Sequence, residues 1–379
     1  MSRSFLSIVG MLVLALVVTA CGDQAPAESP GATSDETPAA TSEETAAPDE
    51  TPGEEPAPTG GRLATVQDRG QLICGVNGSL PGFSFLNDSG EMEGFDADFC
   101  RAVAAAVLGD SEAVEFRALS ADQRGPALQT GEVDLLVRNT TWTVSRDTAW
   151  GLFGPTTFYD GQAIMANADI GASTLEDLDG ATVCVQSGTT TELNLADAIS
   201  QAGVNIETQV FADIDPTYQA YEEGRCDAVT SDRSQLVARR TAFANPDDHV
   251  ILDTVLSKEP LGPVVPLGDD EWFNVVKWTV FATIEAEEQE INSENVEQIA
   301  SESDNPVVQR LLGVTPEGAD PFDSGLGLED AWVVDVISQV GNYAEIYDRN
   351  LGPGTPFDLD RGLNRLWSDG GLLYAPPYR

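Results

Sequence analysis

Between residues 71 and 252 short apolar runs alternate with stretches of helical periodicity, and that order constrains the fold more than any other feature of the chain. Strand-like runs fall at 71–76, 114–119, 133–137, 182–185, 209–212, 227–231 and 250–252. Helical patterns lie at 95–108, 122–130, 191–202, 217–224 and 233–243. In the first of these Phe95, Phe99, Val103 and Val107 share one face, and Gly109 follows as a stop. A strand followed by a helix and another strand is the unit of parallel pairing, so the order predicts parallel sheets of the α/β class. After Asp269 the pattern is mainly helical, and Trp272, Val276, Val280 and Ile284 fall at the spacing of a core-facing stripe. The length from residue 61 onward suits two domains.

The first residues carry a different signal. Arg3 precedes an uncharged run at 5–20 that Ser7, Gly10 and Thr19 interrupt. It is short for a membrane span and right for the core of a secretory leader. The run ends in Val18-Thr19-Ala20-Cys21, which resembles a bacterial lipobox: small residues admit a signal peptidase and the Cys21 thiol takes a lipid. Residues 1–21 are therefore expected to be a lipoprotein signal peptide and lipobox. Residues 22–61 are expected to be a disordered acidic tether, because 22–60 hold no Ile, Leu, Val, Met or aromatic residue with which to build a core. The expected location is outside the cell, lipid-anchored at the outer face of the membrane or in the periplasm.

Charge and cysteine count narrow the class further. The chain has 63 acidic residues against 19 Lys and Arg, a net charge of −44, which argues against nucleic acid as a partner. With Cys21 taken by lipid, Cys74, Cys100, Cys184 and Cys226 remain, an even number in an exported chain. They fall into an early and a late pair, which favours Cys74–Cys100 and Cys184–Cys226. No spacing matches a zinc motif, and His249 is the single histidine, so no metal site and no histidine relay is expected. Neither a nucleophile elbow, nor a phosphate-binding loop, nor a dinucleotide fingerprint follows a strand. No cofactor is expected.

What remains suits the capture of a small zwitterion. A carboxylate wants a bidentate guanidinium with hydroxyls and helix N–H groups, and an ammonium wants a carboxylate with further acceptors. Three strand ends supply these groups, at the edge where open α/β sheets hold ligands. The first runs from 133–137 into Arg138-Asn139-Thr140-Thr141, with Arg146 beyond it. A second runs from 182–185 into Gln186-Ser187-Gly188-Thr189-Thr190-Thr191 at a helix start, where one threonine is needed as a cap. The third ends in Asp232, which stands equally well as the cap of the helix after it.

These segments in this order resemble the polar amino-acid solute-binding proteins of ABC importers. Gly-Val-Asn at 75–77, Gly-Phe-Asp-Ala-Asp-Phe-Cys-Arg-Ala-Val at 94–103, Arg-Asn-Thr-Thr-Trp-Thr at 138–143, Gly-Thr-Thr-Thr-Glu-Leu-Asn-Leu-Ala-Asp at 188–197, Ser-Lys-Glu-Pro-Leu-Gly-Pro at 257–263 and Tyr-Ala-Pro-Pro at 374–377 are similar to the general L-amino-acid-binding subgroup. The resemblance spans 62–379 and implies a type II periplasmic-binding-protein fold, two α/β lobes around a cleft, with a helical C-terminal extension. It places the first part of lobe 1 at 62–163, lobe 2 at 164–259, and the return to lobe 1 with the extension at 260–379, with crossings near 162–166 and 260–265. By motif position, Arg146 clamps the ligand carboxylate, helped by Thr141, Thr189 and Thr190. Asp232, with acceptors near Asn139, holds the ammonium. Asn77 and Leu80 lie where the first-strand loop of the family touches ligand, and Leu80 replaces a frequent stacking aromatic. Gln186 stands where some relatives carry a cation, which argues against a pocket tuned to one acidic side chain. The implied partners are an L-amino acid and the ABC permease in the membrane, the protein itself acting as a monomer that is no enzyme. An amino-acid-sensing receptor subunit, or a dehydratase on the same fold, are the alternatives.

Overall fold

Two mixed sheets, one early and one in the middle of the chain, carry the architecture in the computed structural model, which describes residues 61–316, 318 and 320–379. The leader, Cys21 and all but the last residue of the expected tether lie outside the described residues. Among the described residues no helix is long and apolar enough to cross a membrane.

The first sheet runs in the order Val114–Ala118, Leu72–Val76, Leu135–Leu136, Val264–Pro266, Gly151–Phe153. The first three strands are parallel, as the alternating pattern predicts, and Val264–Pro266 is antiparallel to both its neighbours. The second sheet runs Glu207–Phe211, Thr182–Gln186, Ala228–Asp232, Phe158–Asn167, His249–Ile251, and again its first three strands are parallel. Phe158–Asn167, the longest strand, is antiparallel to Ala228–Asp232 and was not anticipated. Its first half, Phe-Tyr-Asp-Gly-Gln, has neither the β-branched content nor the clean alternation that marks a strand.

That strand also connects the two halves. The chain leaves the first sheet after Phe153, and residues 158–162 then pair antiparallel with 257–261 before the chain re-enters the first sheet at Val264. The connection is thus a two-stranded ribbon at 158–162 and 257–261, while residues 163–166 sit inside the second sheet opposite 228–231.

The helices form for ordinary reasons. Phe95–Leu108 is rich in alanine, carries Asp96 and Asp98 in its first turn where the helix dipole welcomes them, and ends at Gly109 with φ 69°. Asp270–Glu288 is capped by Asp269, and its stripe Trp272, Val276, Val280, Ile284 is buried as expected. The Trp272 indole N–H donates to the Asp134 carbonyl at 2.9 Å and so pins this helix to the first sheet. C-terminal helices Trp332–Gln339 and Tyr343–Asn350 complete one continuous core with Phe95–Leu108 and Asp270–Glu288. The second lobe instead has a separate apolar cluster on each face of its sheet: Val183 and Val185 belong to one, Cys184 to the other, as strand periodicity requires.

The four cysteines pair as Cys74 with Cys100 and Cys184 with Cys226, with Cα separations of 6.1 and 5.7 Å. The first joins Leu72–Val76 to the helix Phe95–Leu108, and the second joins Thr182–Gln186 to the loop before Ala228–Asp232. His249 lies against Phe243 and its Nδ1 meets the Tyr221 hydroxyl at 2.7 Å, a packing role away from the cleft.

Candidate functional site

The carboxyl ends of strands from both sheets converge on one polar cavity. Its lining includes Arg138, Asn139, Thr141 and Arg146 from the first lobe, and Gln186, Thr189, Thr190 and Asp232 from the second. Seven of the nine expected binding residues meet there, Arg146, Asp232, Thr141, Asn139, Thr189, Thr190 and Gln186; Asn77 and Leu80 do not line it. Leu80 is fully buried in the first-lobe core, and Asn77 reaches the site through a 3.4 Å bond from its amide to Asn139 Oδ1. Arg124, Ser231 and Gln235 also line the cavity and were not singled out from the sequence. Arg124 follows the carboxyl end of Val114–Ala118, the same topological position that pointed to the other segments, so the signal was available.

Arg146 sits in the short helix Val144–Ala149, which Thr143 caps by accepting the Arg146 N–H at 3.3 Å. Arg146 is 6 % exposed, and its guanidinium donates to the Thr141 carbonyl at 3.1 Å and lies over the Trp150 ring at 4.9 Å. Burial lowers its pKa, and Glu259 and Asp232 oppose that shift. Asp232 ends its strand at the N-cap of Arg233–Thr241 but makes no side-chain cap bond, so the carboxylate is free of the duty that would explain it away. It is 5 % exposed and accepts from Asn139 Nδ2 at 3.4 Å. Burial first, then the charges of Asp160 and Glu259, hold its pKa well above the ordinary carboxylate range.

Asn139 occupies a left-handed conformation, φ 26°, that asparagine tolerates better than most residues. Its backbone N–H donates to Asp96 Oδ2 at 2.9 Å, and its side chain reaches Asp232 and, at 3.2 Å, Gln235 Oε1 across the cleft. Burial raises Asp96 to about 7 despite that bond and the nearby Arg138.

In the second-lobe loop, Thr189 is the capping threonine: it accepts the Glu192 N–H at 3.1 Å and donates to the Gln186 carbonyl at 2.7 Å. The Gln186 amide itself donates to Ala212 O at 3.2 Å. Thr190 turns toward Glu259, a wholly buried acid on the connecting ribbon. Glu259 Oε2 accepts from Thr141 at 2.6 Å and Thr190 at 2.9 Å, while Oε1 accepts from Asn194 at 2.9 Å and from Ser257. One carboxylate on the ribbon therefore ties together both walls of the cleft. Opposite it in the ladder, Asp160 accepts from the Ser234 hydroxyl at 2.5 Å, and burial raises it to about 6.

Other contacts bridge the lobes. Arg124 Nη2 donates to the Gly188 carbonyl at 3.2 Å, Thr141 and Thr190 hydroxyls lie 3.2 Å apart, and Arg239 reaches Ser79 Oγ at 3.3 Å. The cleft is drawn shut over a polar interior that presents three guanidinium groups and a carboxylate.

Such an interior belongs to a receptor for a charged small molecule, and comparison with known proteins places it. The profile of bacterial extracellular solute-binding proteins, family 3, matches residues 72–294. The chain belongs to that family. It is 48 % identical over 318 residues to the general L-amino acid-binding periplasmic protein AapJ of Rhizobium johnstonii, covering 84 % of this chain and 92 % of the relative. It is 45 % identical over 318 residues to the glutamate/glutamine/aspartate/asparagine-binding protein BztA of Rhodobacter capsulatus, covering 84 % and 93 %. Among solved structures it is similar to an ABC transporter periplasmic binding protein from Brucella ovis with glutathione bound, at 49 % identity and a TM-score of 0.81, covering 84 % of this chain and all of that one. Family 3 proteins bind solutes, and the fold is the type II periplasmic-binding-protein fold, two α/β lobes with a helical C-terminal extension. The family match stops at residue 294, whereas these longer relatives extend over most of the chain, so the C-terminal extension is a feature this chain shares with them.

Proposed function

We propose that this chain is the substrate-binding lipoprotein of an ABC amino-acid importer, holding L-amino acids of broad range between its lobes and delivering them to a permease. The observation that carries the reading is that Arg146 and Asp232, one from each lobe, line the same closed cavity. A guanidinium and a carboxylate facing one small space are complementary to the two charges every α-amino acid shares, and they say nothing about its side chain. The names of the relatives AapJ and BztA point the same way.

In this reading Arg146 receives the α-carboxylate and Asp232, supported by Asn139, receives the ammonium. The raised pKa of the empty Asp232 falls back as the ammonium arrives, because an opposite charge favours the ionised acid. The hydroxyls of Thr141 and Thr190 already donate to Glu259, so these threonines serve the cleft by locking its two walls to the ribbon at 257–261. Thr189 and Gln186 shape the second-lobe wall. The ribbon is the hinge, and ligand shifts its equilibrium toward the closed form that a permease recognises.

Calorimetry with a panel of the twenty amino acids tests this reading. Several should bind the wild-type protein, and Arg146→Ala should weaken all of them by about 2 to 5 kcal/mol while the melting temperature stays put. Undiminished affinity in that variant would remove the basis of the reading. For the anchor, Cys21→Ser should move the protein from the membrane fraction to the soluble exported fraction; continued sedimentation with membranes would refute attachment through Cys21.

A further inference from the structure

A crevice of about 370 Å³ that shares no lining residue with the cleft lies between the helix Asp270–Glu288, the ribbon and the C-terminal segment. Six aromatic residues line it: Trp142, Phe153, Tyr159, Phe273, Phe281 and Tyr374. Its volume falls in the range of small-molecule pockets, about 300 to 1,000 Å³. These rings are not all spare core, since Trp142 is 42 % exposed and Tyr374 61 %. Apolar surface left open to water costs free energy in proportion to its area, so a hollow walled by six rings calls for an occupant.

The charge of the crevice is as unusual as its rings. The chain has 63 acidic residues, yet none lines this hollow, and the single charged side chain there is Lys277, one of only two lysines in the sequence. Phe273 and Phe281 stand one turn before and one turn after it on the same helix, which sets the ammonium between two rings. Lys277 Nζ lies 5.0 Å from the Phe273 centroid and donates to the neutral Asn274 Oδ1 at 2.7 Å. An ammonium has three N–H donors, so two remain to give. Further along this helix Glu287 is taken by Arg361 at 2.6 Å, whereas Lys277 makes no ion pair among the described residues. Trp142 is stacked on Phe153 with 3° between the ring planes, which gives the crevice a flat wall. A planar apolar body with one negative charge answers all of these features, and a neutral apolar guest would leave the lysine unmet.

We infer that this crevice is a second binding site, outside the cleft, for an aromatic carboxylate whose ring lies against Trp142 and whose anion meets Lys277. The site stands independently of the amino-acid reading of the cleft. Its walls are tied to the ribbon and to the C-terminal segment: the Trp142 N–H donates to Pro260 O at 2.8 Å, and the Tyr159 hydroxyl to Leu372 O at 3.5 Å. An occupant therefore bears directly on the strand at 158–162.

Calorimetry on the full-length protein with 3-phenylpropionate, 3-phenylpropanamide and acetate as probes tests the site. 3-Phenylpropionate should bind with a Kd below about 1 mM, the amide at least about tenfold more weakly, and acetate not measurably, because ring and charge are both required. Lys277→Met should bring 3-phenylpropionate down to the level of the amide. Tyr374→Ala, at an exposed position that the fold tolerates, should weaken both ring-bearing probes, and Arg146→Ala should change neither. With no amino acid present, 3-phenylpropionate should also slow hydrogen exchange at 158–161. Absence of binding to the wild type, equal binding of acid and amide, or undiminished affinity in Lys277→Met overturns the inference. So does loss of binding in Arg146→Ala, which would put the probe in the cleft, or unaltered exchange at 158–161.

Discussion

The two lobes are built on similar sheets but held together differently. In the first, the sheet is backed by Phe95–Leu108, Asp270–Glu288 and the C-terminal helices, whose aromatic side chains Phe95, Phe99, Tyr343 and Tyr347 pack edge to face or stacked within one core. In the second, the apolar side chains divide into two modest clusters on opposite faces of the sheet, and Cys184–Cys226 joins elements on one of those faces. Core area is the main stabilising quantity in a fold of this size, so the first lobe is the firm body and the second the one that depends on its staple. The site follows that division. All three cleft arginines stand on the firm lobe, and the lobe that closes brings Asp232 and a loop of short polar side chains.

The comparison breaks most sharply at the disulfides. Removing Cys184–Cys226 by a double serine replacement should cost about 4 kcal/mol and lower the unfolding of residues 164–256 first in hydrogen exchange. Removing Cys74–Cys100 should cost about as much in chain entropy but leave the first lobe folded at 25 °C. If the early variant loses protection before the late one, the firm and the dependent lobe have been assigned backwards.

A smaller effect is expected from the acids beneath the cleft. Asp160 is raised to about 6 in the folded protein from an ordinary value near 3.8, so between those values the folded state holds a proton that the unfolded chain has released. The stabilisation this provides is complete below the unfolded value and is lost as pH rises through about 6. Melting temperatures of wild type and Asp160→Asn measured from pH 4 to 7 should therefore diverge, wild type falling more steeply. Parallel curves would show that Asp160 does not couple the ribbon to pH.

The smallest change sharpens the comparison at the hinge itself. Asn364 in the C-terminal extension takes both main-chain groups of Tyr159, accepting its N–H at 2.6 Å and donating to its carbonyl at 3.2 Å, and the Tyr343 hydroxyl donates to Thr157 O at 2.7 Å. The firm lobe thus grips one strand of the ribbon. Asn364→Ala should lower stability by about 1 kcal/mol and raise exchange at 158–161 without weakening amino-acid binding at saturation. Unaltered exchange there would mean the grip contributes nothing to the hinge.

How much of this was legible in the sequence depended on whether a residue's duty is local. Phe95–Leu108 was read to the residue because its stripe, acidic start and terminal glycine are all local signals. Leu72–Val76, Thr182–Gln186 and Ala228–Asp232 were found because each is short, holds an apolar run and is almost wholly buried. Phe158–Asn167 was not, because its partners lie about 60 to 100 residues away and its Asp160 and Gly161 read as a turn until those partners are known. At the site, Thr189 and Asp232 each sat where a helix cap would sit, and only the structure separates them: Thr189 caps, Asp232 does not. Glu259 was missed for the same reason as the long strand: its partners Thr190 and Asn194 come from across the cleft, and no nearby residue hints at them. Arg124 did stand after a strand end, but its bond to Gly188 comes from the other lobe and only the structure shows it.

The amide of Asn364 has one more effect. Opposite Tyr159 in the ribbon stands Pro260, whose missing N–H a non-hydrogen-bonded ladder position tolerates, and there Tyr159 turns its own main-chain groups outward at the margin of the sheet. An unclaimed pair of that kind invites the strand of a neighbouring molecule. A single side chain from the C-terminal segment fills both positions, so that where crowded copies could join edge to edge, each one meets a margin already taken.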